Sequence, residues 1–138
     1  MNSALPLADM IVPVGGLKSD THATGAHNST GIDLSVFGRA MVTASVGTVT
    51  DAGTIQLEQA TQENFSDAKD LRAVVDLATD SFVQIGVKAE ELDVNNGFRY
   101  VRAKLTATGG SVKAGIVISG LNARHSPAEA LTGAIIVD

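Results

Sequence analysis

A strand–turn–strand pattern over residues 95–120 constrains the fold of this chain more than any other feature. The segment begins with Asn-Asn-Gly, alternates side-chain type for about ten residues, turns at Gly109-Gly110 and continues apolar to Gly120. A period of two with glycine-rich turns is typical of paired antiparallel strands. Neighbouring side chains in a strand point to opposite faces, so one face of the first arm is wholly apolar: Val101, Ala103, Leu105 and Ala107. The pattern predicts a hairpin with one buried face.

Similar alternation recurs along most of the chain from residue 40 onward. It predicts strands over about 40–49, 53–60 and 81–88, with the first two forming a hairpin. A short strand within 71–77 and one helical turn at 89–92 are also predicted. Short strands at this spacing, without a long helix, indicate an all-β fold. We expect an antiparallel β-sandwich of jelly-roll-like form.

The first 37 residues differ from the rest in composition. Pro6 and Pro13 remove backbone donors, and residues 15–31 are rich in Gly, Thr and Ser. Such a segment buries too little apolar area to offset the entropy of ordering it alone. We therefore predict an extended arm over residues 1–37 and a β-sandwich domain over 38–138. Residues 134–138 read Ala-Ile-Ile-Val-Asp, an apolar run that we expect to close a sheet or to dock on a neighbour.

Composition and charge exclude several classes of function. The chain has 138 residues, a net charge of −5 and a pI near 5.0, which disfavours nucleic-acid binding because that needs a basic face. Charged residues make up 18% of the chain, against about a quarter in typical domains, so part of the surface is expected to be covered by other protein. The absence of cysteine excludes disulfides and thiolate metal sites. A secretory signal and a membrane span are not expected either.

No catalytic constellation is found. His22 and His27 are five residues apart in a Gly/Thr-rich segment, and a metal site needs three or four rigid donors. We interpret both as solvated or partner-facing residues, without a metal or other cofactor.

Glu90, Glu91 and Asp93 are expected to be solvated, or to pair with Arg99 or Arg102 of another strand or subunit. No nucleophile elbow, phosphate loop or dinucleotide motif is present, so we expect a chain that is not an enzyme.

Four residues in the first strand of the predicted hairpin over 95–120 suggest a binding surface. Arg99, Tyr100, Arg102 and Lys104 combine an aromatic ring with three cations, and Arg and Tyr are enriched at protein interfaces. They predict either a cationic strip that meets acidic protein or an ordinary solvated strand face. With His22 and His27 they form our set of candidate interface residues.

Two segments resemble the capsid cement (decoration) proteins of tailed bacteriophages. One is Gly97–Ile118, with its Arg-Tyr-Val-Arg strand, Gly-Gly turn and small-apolar strand. The other is the strand Gly53–Ala60, followed by a loop that contains Phe65 and is similar to the family's phenylalanine-in-loop element. The resemblance covers about residues 38–121, and it does not extend to the first 37 residues or to the segment after Asn122.

The resemblance implies a structural virion protein on the capsid exterior. Such a protein binds the outside of the head, often as a trimer, and clamps neighbouring subunits of the major capsid protein. Two alternatives remain open at this point. One is a different virion module, such as a head-fibre base or tail component. The other is a carbohydrate-binding β-sandwich, which the absence of Trp and the single Tyr disfavour.

Overall fold

A computed structural model describes residues 11–123 of the chain, and these residues form two antiparallel sheets packed face to face. We call the four-stranded sheet, in the order β1-β10-β4-β8, sheet A. Its strands are β1 (Ile11–His22), β4 (Phe37–Val49), β8 (Ser81–Lys88) and β10 (Val112–Ala123).

The second sheet, sheet B, follows the order β2-β9-β5-β6. Two further short strands join it, with β3 pairing with β9 and β7 pairing with β5. Its strands are β2 (Gly25–Asn28), β3 (Ile32–Asp33), β5 (Ala52–Ala60), β6 (Lys69–Asp70), β7 (Val75–Asp76) and β9 (Tyr100–Thr108). Single 3₁₀ turns at Ala89–Glu91 and Val94–Asn96 connect β8 to β9.

The core lies between the two inner faces. The predicted apolar face of β9 is buried there, with Val101, Ala103 and Leu105 fully covered. Across the gap, β10 and β4 contribute Ile116, Ile118, Val42 and Ala44. Complete burial of a Val, Leu or Ile side chain stabilises a fold by about 1.5–3 kcal/mol, so this layer supplies much of the driving force for folding.

The predicted antiparallel β-sandwich is confirmed, and so are the strands near 40–49, 53–60, 81–88 and 111–121. From β4 onward, consecutive long strands change sheets, and the first described strand pairs with the last. The jelly-roll-like form stays a prediction. The strand predicted within 71–77 is only the two-residue β7. No helix in the part of the chain that the structure describes is long and apolar enough to cross a membrane.

Both predicted hairpins are wrong. The strands β9 and β10 belong to different sheets, as do β4 and β5, so each turn carries the chain across the sandwich. The two crossings lie side by side, with Thr50 N donating to Ser111 O at 3.0 Å. A period of two shows which face is buried but does not identify the pairing partner.

The separate extended arm is also wrong for the described part of residues 1–37. β1 forms one edge of sheet A, and β2 and β3 pair with β9. The backbone makes these contacts, so they do not need large side chains. A Cβ on Gly15 would lie 2.9 Å from Thr30 O, and one on Gly16 would collide with Ile116 O. Glycine therefore permits the close approach of β1 to its neighbours. Residues 1–10, and the apolar run at 134–138, lie outside the described residues.

Candidate functional site

The cations predicted as an interface strip are engaged within the molecule. Arg102 and Lys104 lie on the outer face of sheet B, and Glu58 of β5 is directly opposite Arg102 in the ladder. Glu58 accepts a hydrogen bond from Arg102 Nε at 3.0 Å, and its other oxygen lies 3.5 Å from Lys104 Nζ. The Glu58 side chain is only 10% exposed. This network is therefore covered rather than offered freely to a partner.

A loop between β5 and β6 covers part of this network. Phe65 at its tip is 8% exposed and has a φ of 56°. The Arg102 guanidinium lies 4.5 Å from the centroid of its ring, and the Tyr100 ring packs edge-on at 6.4 Å. Hydrogen bonds from the side chain and backbone of Thr61 lower the pKa of Asp67 at the base of the loop. Phe65 thus anchors the loop.

Arg99 is paired on the same side of the molecule. Its guanidinium bonds Asp33 in β3 and lies 4.9 Å from the centroid of the Tyr100 ring. Burial raises the pKa of Asp33, but hydrogen bonds from Arg99 and Ser35 outweigh it, so the net effect is a lowered pKa. The same bond to Asp33 raises the pKa of Arg99.

Two of the three residues of the acidic cluster pair within the molecule with cations other than Arg99 and Arg102. Glu91 pairs with Arg72, and Asp93 accepts a bond from Lys69 at 2.7 Å. Bonds from Lys69 and Asn96 lower the pKa of Asp93. These pairs tie the β8–β9 connection to the loop beside β5. Neither Arg99 nor Arg102 takes part in them.

The two histidines lie together at another place. His22 ends β1 and is 8% exposed, and its ring centroid lies 5.0 Å from that of His27 in β2. The Nε2 atom of His22 is 3.0 Å from Ala114 O, and that of His27 is 2.7 Å from Ala23 O. The expectation of a solvated loop is therefore wrong for His22. Within residues 11–123 no third His, Asp or Glu joins the pair to make a metal site.

The most exposed apolar surface lies on the other sheet and was missed as a site. We call it the outer face of sheet A. Phe82 on β8 is 82% exposed, Val117 on β10 is 47% exposed, and Ile11 on β1 is 40% exposed. The ladder aligns Val117 with Thr43 and Gln84, in the row next to Phe82, Ser45 and Gly115. The sequence contained a signal for this face. Phe82 and Val117 are large apolar residues at strand positions whose neighbours on the same face are mostly small or polar.

Charge is distributed unevenly between the sheets. The four strands of sheet A carry four basic side chains and one acidic one, a net charge of +3, so the rest of the chain carries −8. Three successive cross-strand rows of the outer face of sheet A hold small, polar or apolar residues and no charge. This side therefore presents an uncharged centre of small, polar and apolar residues, with basic residues around it.

This arrangement suits protein binding better than bond-breaking chemistry. Central strips of surface without charge, rimmed by polar and charged residues, resemble the cores of interfaces. A scan against models of known protein families finds no match for this sequence. A search of curated protein sequences finds none either.

Proposed function

We propose that this chain is a structural virion protein that binds the outer surface of a tailed-phage capsid and holds neighbouring major capsid protein subunits together. The proposal joins the sequence resemblance over residues 38–121 to an all-β sandwich with an exposed apolar face. It assigns no catalytic activity and no cofactor to the chain.

The observation that carries the proposal is the outer face of sheet A. Phe82 projects from it with 82% of its surface in solvent, and complete burial of such a side chain contributes about 1.5–3 kcal/mol. The surrounding basic residues favour an acidic partner surface. The contact with the major capsid protein is accordingly assigned to sheet A. Arg99, Arg102 and Lys104, which have intramolecular partners, are assigned a supporting role.

A homo-oligomer, with the trimer as its expected form, belongs to the same proposal. Among the described strands, β8 pairs only with β4, so no strand of residues 11–123 pairs with its other edge. It contains no proline and one charged residue, Lys88, and thus lacks the usual protection of an edge strand. Sedimentation equilibrium tests this part of the proposal. A monomer at every concentration would contradict it.

The decisive experiment is a binding assay with capsids that lack the protein. Phe82→Glu puts a carboxylate in place of the most exposed apolar side chain on the outer face of sheet A, and we expect binding to fall at least about 10-fold, as for loss of an interface anchor. Val74→Glu is the matched control, since Val74 is 55% exposed and precedes β7 at the edge of sheet B. It should bind as the natural protein does.

Two outcomes would refute the proposal. Equal binding of both variants would remove sheet A from the interface. Failure of the natural protein to bind capsids, or unchanged resistance of particles to heat after its removal, would reject the cement function. Circular dichroism of each variant establishes that the β-sandwich is intact.

A further inference from the structure

A cavity of about 550 Å³ opens at one end of the sandwich, beside the 3₁₀ turns that connect β8 to β9. We call it the end groove. Leu34 and Leu92 form a buried apolar floor, and Val94 and Phe98 add apolar surface nearer to solvent. A groove with this lining fits an apolar segment of chain.

Two cations stand together in the wall of the end groove. Arg39 of β4 and Lys88 of β8 are directly opposite each other in the ladder of sheet A. Like charges in this position destabilise a sheet. No carboxylate of residues 11–123 lies within 4.0 Å of either cation. The groove also contains Glu90, while its third cation, Arg99, is bonded to Asp33. The exposed Arg39–Lys88 pair therefore favours an occupant that carries a carboxylate.

The chain itself contains a segment with matching chemistry. Residues 134–138 read Ala-Ile-Ile-Val-Asp, four apolar residues followed by a carboxylate. The last described strand also runs to the groove, because Ala123 pairs with Phe37, next to the groove residues Gly38 and Arg39. The intervening ten residues can span up to about 36 Å, which is ample for a cavity adjacent to Ala123.

We propose that residues 134–138 bind in the end groove of their own chain, with the apolar side chains on the Leu34–Leu92 floor and Asp138 between Arg39 and Lys88. A short tether gives an effective concentration in the millimolar range, which favours the chain's own segment over a second copy. This inference does not depend on the capsid function. The end groove lies beside the uncharged centre of the outer face of sheet A, and its Arg39–Lys88 pair belongs to the basic residues around that face.

Because the chain has no cysteine, paired substitutions give a clean test. The variant Val94→Cys/Ile136→Cys places one thiol at the rim of the end groove and one in the segment. A disulfide needs Cα atoms within about 7 Å. We expect intramolecular cross-linking under mild oxidation on the order of 10-fold faster than in the control Val74→Cys/Ile136→Cys. Val94 and Val74 are 60% and 55% exposed, so the two sites are matched in accessibility.

Charge exchange supplies a second measurement. Adding Arg39→Glu and Lys88→Glu to the Val94/Ile136 cysteine pair should slow cross-linking to the control rate. Adding Asp138→Lys to that variant should restore it. Equal rates for the two cysteine pairs would overturn the proposal. So would disulfide-linked dimers as the main product, which would assign the groove to a second copy. Failure of the charge exchange would overturn the role given to Asp138.

Discussion

The contact between Phe65 and Gly31 allows a sharp test of how the Phe65 loop is held. A Cβ on Gly31 would lie 2.6 Å from two atoms of the Phe65 ring and 2.9 Å from Val101 O. Gly31 does not have a positive φ, so Gly31→Ala costs stability through crowding rather than through the backbone. Overpacking of this kind costs about 1–3 kcal/mol.

Removing the ring has a separate cost. Phe→Ala in a core costs about 3–5 kcal/mol, and we expect about 3 kcal/mol for Phe65→Ala because the ring belongs to a surface loop rather than to the central core. Alanine keeps the left-handed backbone strain at this position, so the substitution isolates the loss of the ring. In a domain of this size the change lowers Tm by roughly 10 °C.

The double variant distinguishes direct contact from independent effects. Without the ring, Gly31→Ala loses its worst clash and keeps only the contact with Val101 O. We expect the double variant to be more stable than the sum of the single effects by about 1 kcal/mol or more. Urea denaturation followed by circular dichroism measures the three free energies of unfolding. Additivity within about 0.5 kcal/mol would refute the reasoning. Phe82→Ala is the exposed control and should change little.

The remaining predictions concern charge. Glu58→Gln leaves Arg102 and Lys104 without their carboxylate, and we expect a loss of about 2 kcal/mol, below the value for a fully buried pair because Arg102 keeps some contact with solvent. Glu63→Gln, at an exposed position, should stay within about 0.5 kcal/mol. The lowered pKa of Asp33 means that its ionised form stabilises the fold above the unfolded pKa, near 3.9. The advantage of the natural protein over Asp33→Asn should therefore be constant at neutral pH and vanish as the pH falls through the folded pKa.

Denaturation of the Glu58 and Glu63 variants at pH 7 measures the first prediction, and equal stability of the two would contradict it. Denaturation of the Asp33 pair across pH 2 to 7 measures the second. An advantage that persists undiminished at about pH 2 would show that the Arg99–Asp33 bond does not depend on ionisation of Asp33.

The sequence predicted which face of each strand is buried better than it predicted which strands pair with each other. The alternation around Leu105 and Ile116 identified both inner faces of the sandwich, because burial follows the period of a strand. The same alternation could not show that β9 and β10 belong to different sheets, since pairing depends on contacts between distant residues. Residues 15–33 were misread for a related reason. Their order comes from backbone bonds to β9 and β10, which leave little trace in side-chain chemistry.

For the candidate site, too, the sequence predicted the orientation of side chains but not their contacts. The outward orientation of Tyr100, Arg102 and Lys104 followed from their register with Val101. Their engagement by Glu58 could not be predicted, because it needs the pairing of β5 with β9. Phe82 was visible as an apolar residue on a polar face, but only the structure shows that it belongs to a broad surface without charge.

The position of β10 between β1 and β4 has a consequence for biosynthesis. Ile11 pairs with Leu121, so two neighbours in sheet A are separated by most of the described chain. On a ribosome, β1 and β4 emerge long before β10, the strand that lies between them. Until then, the backbone donors and acceptors that pair with β10 have no partner on either strand. Closure across such a sequence distance is slow. Sheet A therefore assembles after release of β10 from the exit tunnel, and nascent chains are most prone to aggregate in that interval.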